Sequence, residues 1–182
     1  MAELEKVVIK DDLTGDTEIT GYLIGMINTR DGAPEQELQH SRPRWGVNRV
    51  WKLRGGTYVL ATEAFSCVYH RPDTRCRTRN RLVSGDPATI DDLPDDAVPC
   101  WICHPPLPQD LGDDEPVRYE FPRRSIHECE TPAQVIDKLM ISRKQGGTRS
   151  RELPEPSRAL VMLCASNDPD FVVTRAEAVK IA

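Results

Sequence analysis

Two pairs of metal-ligand side chains lie in the middle of the chain. The more specific pair is Cys100 and Cys103, because two thiolates separated by two residues can grip a single ion. The second pair is His70 and Cys76, at the end of a long stretch typical of a strand. One imidazole and three thiolates form a closed tetrahedral donor set with no position for water. We therefore predict that His70, Cys76, Cys100 and Cys103 hold a structural Zn²⁺ ion.

The identity of two ligands stays open at the level of sequence. We predict one strand over residues 57–70, and side chains along a strand alternate between its faces. In a regular strand Cys67 and His70 then point to opposite sides, so that Cys67 is a buried core thiol. A bulge would let Cys67 replace His70, and His104 could replace His70 or Cys76. If only three protein side chains bind the zinc, a water molecule can take the fourth position. Such an open site is typical of zinc enzymes, so an enzyme is then an alternative.

Six cysteines could instead form three disulfides in a secreted protein. The first residues are polar and do not resemble a signal peptide, and no apolar run approaches the roughly 20 residues that span a bilayer. We therefore expect a cytoplasmic protein that does not engage a membrane and keeps its cysteines reduced. Cys164 lies within an apolar run and is predicted to be a core residue.

Arginines cluster near the predicted ligands, although the net charge is −5, with 24 basic and 29 acidic residues. That balance neither requires nor excludes a nucleic-acid partner. Guanidinium groups bind phosphate or carboxylate, and aromatic rings can stack on bases. We predict contact with a host protein or a nucleic acid through Arg71, Arg75, Arg77, Arg79, Arg44 and Trp45. The alternative is a set of solvated loops in which Trp51 is a core residue and the arginines pair with the acidic residues 91–96.

The surrounding pattern predicts an α+β fold. We expect an antiparallel sheet of hairpins, a zinc-stapled loop and one or two packed helices. The segments 5–10 and 18–26 form one predicted hairpin, and Gly55-Gly56 joins the strands of a second. Thr131 is a helix N-cap followed by proline, which favours a helix over 131–143. The continuous apolar run 158–165 is predicted to be a buried strand, after a polar connection over 144–157.

The length of 182 residues favours a single domain. An apolar fraction of 38% and 15 prolines indicate a modest core, which a metal cross-link would help to stabilise. We predict four consecutive parts: an N-terminal hairpin (1–27), a loop or linker (28–44), a hairpin with the zinc loop (45–105), and a strand-helix-strand-helix completion (106–182).

One part of the chain resembles a known group of proteins. The motifs Gly-Gly-Thr-Tyr-Val-Leu, Val68-Tyr-His-Arg-Pro-Asp-Thr-Arg-Cys76 and Gly85-Asp-Pro-Ala-Thr-Ile-Asp-Asp-Leu-Pro carry the resemblance, together with Cys100 and Cys103. This stretch, about residues 49–105, resembles uncharacterised zinc-binding proteins of actinobacteria and their phages. The resemblance implies a bacterial or phage setting and no particular activity.

These observations favour a small zinc-stabilised binding or regulatory protein, phage-encoded or phage-like, that engages a host macromolecule through its basic loop. One alternative is a nucleic-acid-processing, metal-dependent hydrolase. A second is a structural component of a larger assembly. No phosphate-binding glycine loop and no Gly-x-Ser-x-Gly motif occurs in the chain, and we predict no catalytic residue. The sequence leaves the oligomeric state open.

Overall fold

The computed structural model describes residues 4–30, 44–72, 88–92, 97–112, 115–120, 122–145 and 148–174. Over these residues the fold is α+β, as predicted, with an antiparallel five-stranded sheet and two α-helices. The chain forms two compact units. Unit 1 consists of Met1–Thr29, Val47–Thr62 and Arg124–Ala182, and unit 2 of Arg30–Gly46 and Glu63–Arg123. The single domain expected from the length stays a prediction.

The described residues contain ten strands, two α-helices and two single-turn 3₁₀ helices at Ile90–Asp92 and Pro108–Asp110. In chain order the strands are β1 (Leu4–Ile9), β2 (Thr17–Asn28), β3 (Arg44–Leu53), β4 (Tyr58–Ser66), β5 (Val68–His70), β6 (Val98–Pro99), β7 (Arg118–Tyr119), β8 (Arg123–Cys129), β9 (Ile141–Gln145) and β10 (Thr148–Glu152). The helices are α1 (Pro132–Leu139) and α2 (Glu155–Asn167). Three sheets result, with the orders β1-β2-β3-β4-β8, β10-β9 and β6-β5-β7.

The two predicted hairpins of the large sheet are confirmed. Between β1 and β2, the Asp11 carboxylate accepts from the backbone amides of Leu13 and Thr14 at 2.7 and 2.8 Å, and Gly15 has φ 86°. Between β3 and β4, Gly56 has φ 84° and its amide donates to the Leu53 carbonyl at 3.0 Å. Side-chain turns and left-handed glycine thus reverse the chain where the sequence indicated.

The strand predicted over 57–70 is wrong in one respect. It breaks at Cys67, so that β4 belongs to the large sheet and β5 to the three-stranded sheet. The predicted loop over 28–44 is also shorter at both ends, because β2 runs to Asn28 and β3 starts at Arg44. Residues 31–43, between them, lie outside the described residues.

Helix α1 begins as the sequence predicts. The Thr131 hydroxyl accepts from the Gln134 amide at 3.3 Å, and the Gln134 side chain accepts from the Glu130 amide at 2.6 Å. The helix buries Val135, Ile136 and Leu139. It ends four residues before the predicted boundary at 143, because the chain turns at Met140 into the hairpin of β9 and β10.

The strand predicted over 158–165 is wrong, because these residues belong to α2. The buried residues of this helix are Ser157, Leu160, Val161 and Cys164, a spacing of three, four and seven that matches one helical face. Cys164 is fully buried, which confirms its assignment to the core. The polar connection predicted over 144–157 is also wrong, since it contains β10 and the first turn of α2.

Both apolar clusters lie in unit 1. The larger consists of Ile24, Val50, Tyr58, Leu60, Cys129, Val135, Ile136, Leu139, Leu153, Leu160, Val161, Cys164 and Phe171. The smaller consists of Ile19, Trp51 and Val59, which confirms Trp51 as a core residue. Helix α2 approaches β2 closely at Gly25, where a Cβ atom would lie 2.5 Å from the Cys164 sulfur. Within the described residues, neither helix has the length and apolar character needed to cross a bilayer.

Candidate metal centre

The three-stranded sheet of unit 2 places His70 beside Cys100. The central strand β5 ends at His70, and its neighbour β6 runs parallel to it, with Tyr69 opposite Pro99. The Cys100 amide donates to the Tyr69 carbonyl at 2.9 Å. Cys100 therefore follows directly after β6 at the level at which β5 ends.

A tight turn then brings Cys103 back to the same place. The His104 amide donates to the Cys100 carbonyl at 2.9 Å, which closes the loop around residues 101–103. His104 has φ 47°, the one non-glycine residue with positive φ in the described part of the chain. A left-handed residue ends such a turn by reversing the chain direction. The predicted Cys-x2-Cys knuckle is therefore formed.

His70, Cys100 and Cys103 bring three donor atoms together. All of these atoms lie within 4.8 Å of one another, and the Cys103 sulfur is 3.6 Å from His70 Nδ1. The side chains of His70 and Cys100 are buried, whereas Cys103 is half-buried. Two sulfurs and one imidazole at this separation could hold a metal ion.

The second nitrogen of His70 faces a buried carboxylate. Glu120 Oε1 lies 3.3 Å from His70 Nε2, and Arg44 donates to both carboxylate oxygens, at 2.7 and 3.0 Å. An ionised carboxylate can only accept a hydrogen bond, so Nε2–H donates to Glu120, and Nδ1 of the neutral ring keeps its lone pair on the side of the two sulfurs. Metal-binding histidines in proteins are held by such outer carboxylates.

The Glu120 carboxylate is ionised despite its burial. Desolvation alone would raise the pKa of Glu120, but hydrogen bonds from His70 and Arg44 outweigh it and hold the pKa well below its usual range. The pKa of Arg44 is raised, mainly by its hydrogen bond to Glu120.

The alternative ligands do not join this group in the described part of the chain. Cys67 is buried at the break between β4 and β5, and its carbonyl accepts from the Val98 amide at 2.9 Å. His104 is exposed and contributes its backbone to the turn. The remaining predicted ligand, Cys76, lies outside the described residues, so its role stays a prediction.

The structure describes only some of the predicted partner-binding residues, and these make different contacts. Arg75, Arg77 and Arg79 lie outside the described residues. Arg71 is exposed and donates through Nε to the His104 carbonyl at 3.0 Å. Arg44 is engaged with Glu120, as described above. For all of them, contact with a partner stays a prediction.

Trp45 is held between two other side chains of unit 2. Its ring stacks on Phe65 with the centroids 5.4 Å apart, and the Arg30 guanidinium lies 4.3 Å from its centroid. A cation above an indole face is attracted by the ring's electron density. The partner contact predicted for Trp45 also stays a prediction.

Sequence analysis missed Glu120. It follows β7 directly, and a charged residue between Tyr119 and Phe121 was the available signal in the sequence. Its partners are 50 and 76 positions away in the chain, at His70 and Arg44. No local pattern connects residues at such a separation.

Comparisons with known proteins found no matching family model, no similar curated protein and no similar solved structure. The case for function therefore depends on the site itself.

Proposed function

We propose that the protein is a small zinc-stabilised binding module in which a structural Zn²⁺ ion fixes a basic loop for contact with a macromolecule. The observation that carries this proposal is the group formed by His70, Cys100 and Cys103, with one nitrogen and one sulfur 3.6 Å apart. Cys76 supplies the fourth ligand, on the basis of its position in the sequence.

The donor geometry fits zinc. Zinc–sulfur bonds of about 2.3 Å and zinc–nitrogen bonds of about 2.0–2.1 Å in a tetrahedron put sulfur and nitrogen about 3.5–3.6 Å apart. Thiolates and imidazole favour zinc over magnesium or calcium, which take oxygen ligands. A fourth protein ligand fills the remaining position, and such closed sites are structural rather than catalytic.

The residues around the ligands support the same role. Glu120 holds the His70 ring in one tautomer, and Arg44 neutralises the carboxylate. With three thiolates and a neutral imidazole the zinc site carries a net negative charge, so the Arg44 guanidinium lowers the cost of placing it in a buried position. Substitution of Glu120 or Arg44 would lower the affinity for the metal without removing a ligand.

The ion would contribute directly to the fold of unit 2. Metal binding to a site absent from the unfolded chain adds its free energy to that of folding. His70 and Cys76 border a segment that carries Arg71 and Arg75, and Arg77 follows directly. Zinc bound at both ends would restrict that segment and present its guanidinium groups to a phosphate or carboxylate on a partner. We propose a bacterial cytoplasmic setting, phage-encoded or phage-like, with a host protein or nucleic acid as the partner.

Cobalt substitution tests the metal site. Co²⁺ bound by thiolates in a tetrahedron absorbs strongly in the visible range, so the spectrum reports both ligand type and geometry. We expect this absorption in the wild type and its loss or distortion in Cys103→Ser and Cys76→Ser. Cys129→Ser, a buried thiol of unit 1, is the matched control and should leave the spectrum unchanged. An unchanged spectrum in Cys76→Ser would contradict the closed four-ligand site.

Partner capture tests the basic loop. Immobilised protein carrying Arg75→Ala and Arg77→Ala should retain its zinc and lose a partner that the wild type captures from host extract. Arg54→Ala, an exposed arginine in the turn between β3 and β4, serves as the charge-matched control. Equal capture by the wild type and the double variant would overturn the role of the basic loop.

A further inference from the structure

The turn between the two cysteine ligands exposes its apolar residues. Trp101 is 73% exposed and Ile102 is 44% exposed, whereas Cys100 on one side is buried and Cys103 on the other is half-buried. Tryptophan is buried on average in folded proteins, because its large ring gains much from leaving water. Exposed apolar side chains that adjoin one another, as Trp101 and Ile102 do in this turn, are a feature of contact surfaces.

The base of this turn carries a positive charge in a fixed position. The Nε atom of the exposed Arg71 donates to the His104 carbonyl at 3.0 Å, and the His104 amide donates to the Cys100 carbonyl at 2.9 Å. These two bonds tie the guanidinium to the same turn that displays Trp101. An indole face and a cation are thus placed on one short, closed segment of backbone.

We propose that this knuckle surface, formed by Trp101, Ile102 and Arg71, binds single-stranded nucleic acid. An unpaired base stacks on Trp101, and Arg71 contacts the adjoining phosphate. The proposal rests on the function proposed above, in which Cys100 and Cys103 bind one metal ion at the two ends of this turn.

The chemistry favours a single strand over other partners. Every base has a flat face that an indole can cover, whereas a duplex hides those faces in its own stack. The guanidinium group suits the charge and geometry of phosphate. Four further arginines follow in the sequence at positions 75, 77, 79 and 81, which adds to the positive charge of this part of the chain.

The test uses the zinc-loaded full chain and a fluorescently labelled oligonucleotide of about 12 nucleotides, a length within the range that single-strand binding folds cover. Anisotropy titrations compare single-stranded RNA, single-stranded DNA and duplex DNA at low salt. We expect binding of one or both single strands and weaker binding of the duplex. Trp101→Ala should lower the affinity about 5- to 150-fold, the range of single base-stacking contacts.

The arginine contact has its own readout. For single strands, the logarithm of affinity falls with the logarithm of salt by about 0.7 for each phosphate neutralised. Arg71→Ala should therefore lower this slope by about 0.7, while Arg54→Ala should not change it. Leu13→Ala removes another exposed apolar side chain, 90% exposed, and is the control for Trp101→Ala. Both control variants should bind as the wild type does.

Zinc content separates the outcomes. If Trp101→Ala and Arg71→Ala retain the zinc of the wild type and lose affinity as stated, the knuckle surface is supported. The inference is overturned if zinc-loaded wild type binds no single strand, binds duplex equally well, or binds only a protein, and also if Trp101→Ala binds normally. In each of these cases the metal proposal stands. Absence of zinc from the wild type would overturn the metal proposal instead.

Discussion

Unit 1 and unit 2 differ in the side chains at the centres of their interiors. In unit 1 the larger cluster contains 13 side chains, of which only Tyr58 and two cysteines carry a polar atom, although unit 1 also buries Asp11, Ser157 and Asp168. In the described part of unit 2 the buried residues include two cysteines, a histidine and an ionised glutamate; the full set is Cys67, Val68, Tyr69, His70, Cys100, Pro105, Val117 and Glu120. Burial of apolar area, at about 25 cal/mol per Å², can account for the first kind of interior but not for the second.

The difference shows how the same residue type serves two purposes. Cys164 packs among apolar side chains of α2 and β2, where burial raises the pKa of its thiol to about 12. Cys100 and Cys103 face an imidazole and belong to a group that could hold a metal. We conclude that unit 1 depends on apolar packing and unit 2 on its polar centre. Each of the following experiments would break or sharpen that contrast.

Removal of the metal should have the largest effect, and only in unit 2. Structural zinc sites contribute about 10 kcal/mol or more to folding, so a chelator should abolish slow amide exchange in β5 and β6. The core strands and α2 of unit 1 should keep their protection. Hydrogen exchange followed by mass spectrometry, with and without chelator, measures both units in one sample. Equal loss of protection in both units would refute the contrast.

The second-largest effect should be a difference in thiol alkylation between the cysteines of unit 1 and those of unit 2. Since burial raises the pKa of Cys164 to about 12, at pH 8 its thiolate fraction is more than about a thousandfold below that of an ordinary thiol. Burial also raises the pKa of Cys129. Both should resist iodoacetamide with or without chelator, as mapped by peptide mass spectrometry. Cys100 and Cys103 should react only after the metal is removed.

Loss of the Arg44–Glu120 ion pair should destabilise unit 2 more than loss of a surface ion pair destabilises unit 1. Arg44→Ala removes both hydrogen bonds that Arg44 donates to the buried Glu120, and we expect the free energy of unfolding to fall by about 3 kcal/mol. Arg151→Ala breaks the exposed pair with Asp137 and should cost about 0–1 kcal/mol. Urea unfolding with zinc present measures both variants. A loss below 1 kcal/mol for Arg44→Ala would argue against a strained, charge-dependent interior.

A methyl group at Gly25 tests the packing of unit 1. Its Cβ would lie 2.5 Å from the Cys164 sulfur and 3.0 Å from Leu160 Cδ1. We expect Gly25→Ala to cost about 1–3 kcal/mol by overpacking, and Cys164→Ala in the same chain to recover part of that loss. Gly55→Ala, where no atom lies within 4 Å of the new Cβ, is the control. The cost should be the same with and without chelator, because zinc does not enter this contact.

The smallest expected effect is the loss of stability at acidic pH that comes from Asp11. Backbone amides of Thr14, Leu13 and Ile126 donate to Asp11 and lower its pKa to about 2. A carboxylate with a lowered folded-state pKa stabilises the protein above its unfolded pKa, near 4, and that contribution disappears as the pH falls toward 2. Asp11→Asn should therefore reduce stability at pH 6 and reduce it less at pH 3. Asp16→Asn, which removes an exposed carboxylate in the same turn, is the control.

The elements with local signals could be predicted from the sequence. Turn residues such as Gly15 and Gly56 marked the hairpins, and Thr131 marked the start of α1. The spacing of Cys100 and Cys103 indicated a metal knuckle, and His70 was correctly placed beside it. In each of these cases the cause lies within a few residues or in the chemistry of the side chain itself.

The sequence predictions were wrong where a local pattern was compatible with both a strand and a helix. The run after Arg158 is apolar up to residue 165, since even Met162 and Leu163, which are 61% and 40% exposed on α2, are apolar. These two residues hid the helical spacing of Leu160, Val161 and Cys164. The pair of Glu120 with Arg44 could not be predicted at all, because it depends on strands that meet only in the folded chain.

Metal content per chain tests the central claim most directly. Elemental analysis of protein purified without chelator should find about one zinc per chain in the wild type, as a closed four-ligand site requires. Cys100→Ser should lose that zinc, whereas Cys164→Ser, a buried thiol of unit 1, should keep it. Wild-type protein without bound metal, or a Cys100→Ser variant that retains it, would contradict the account.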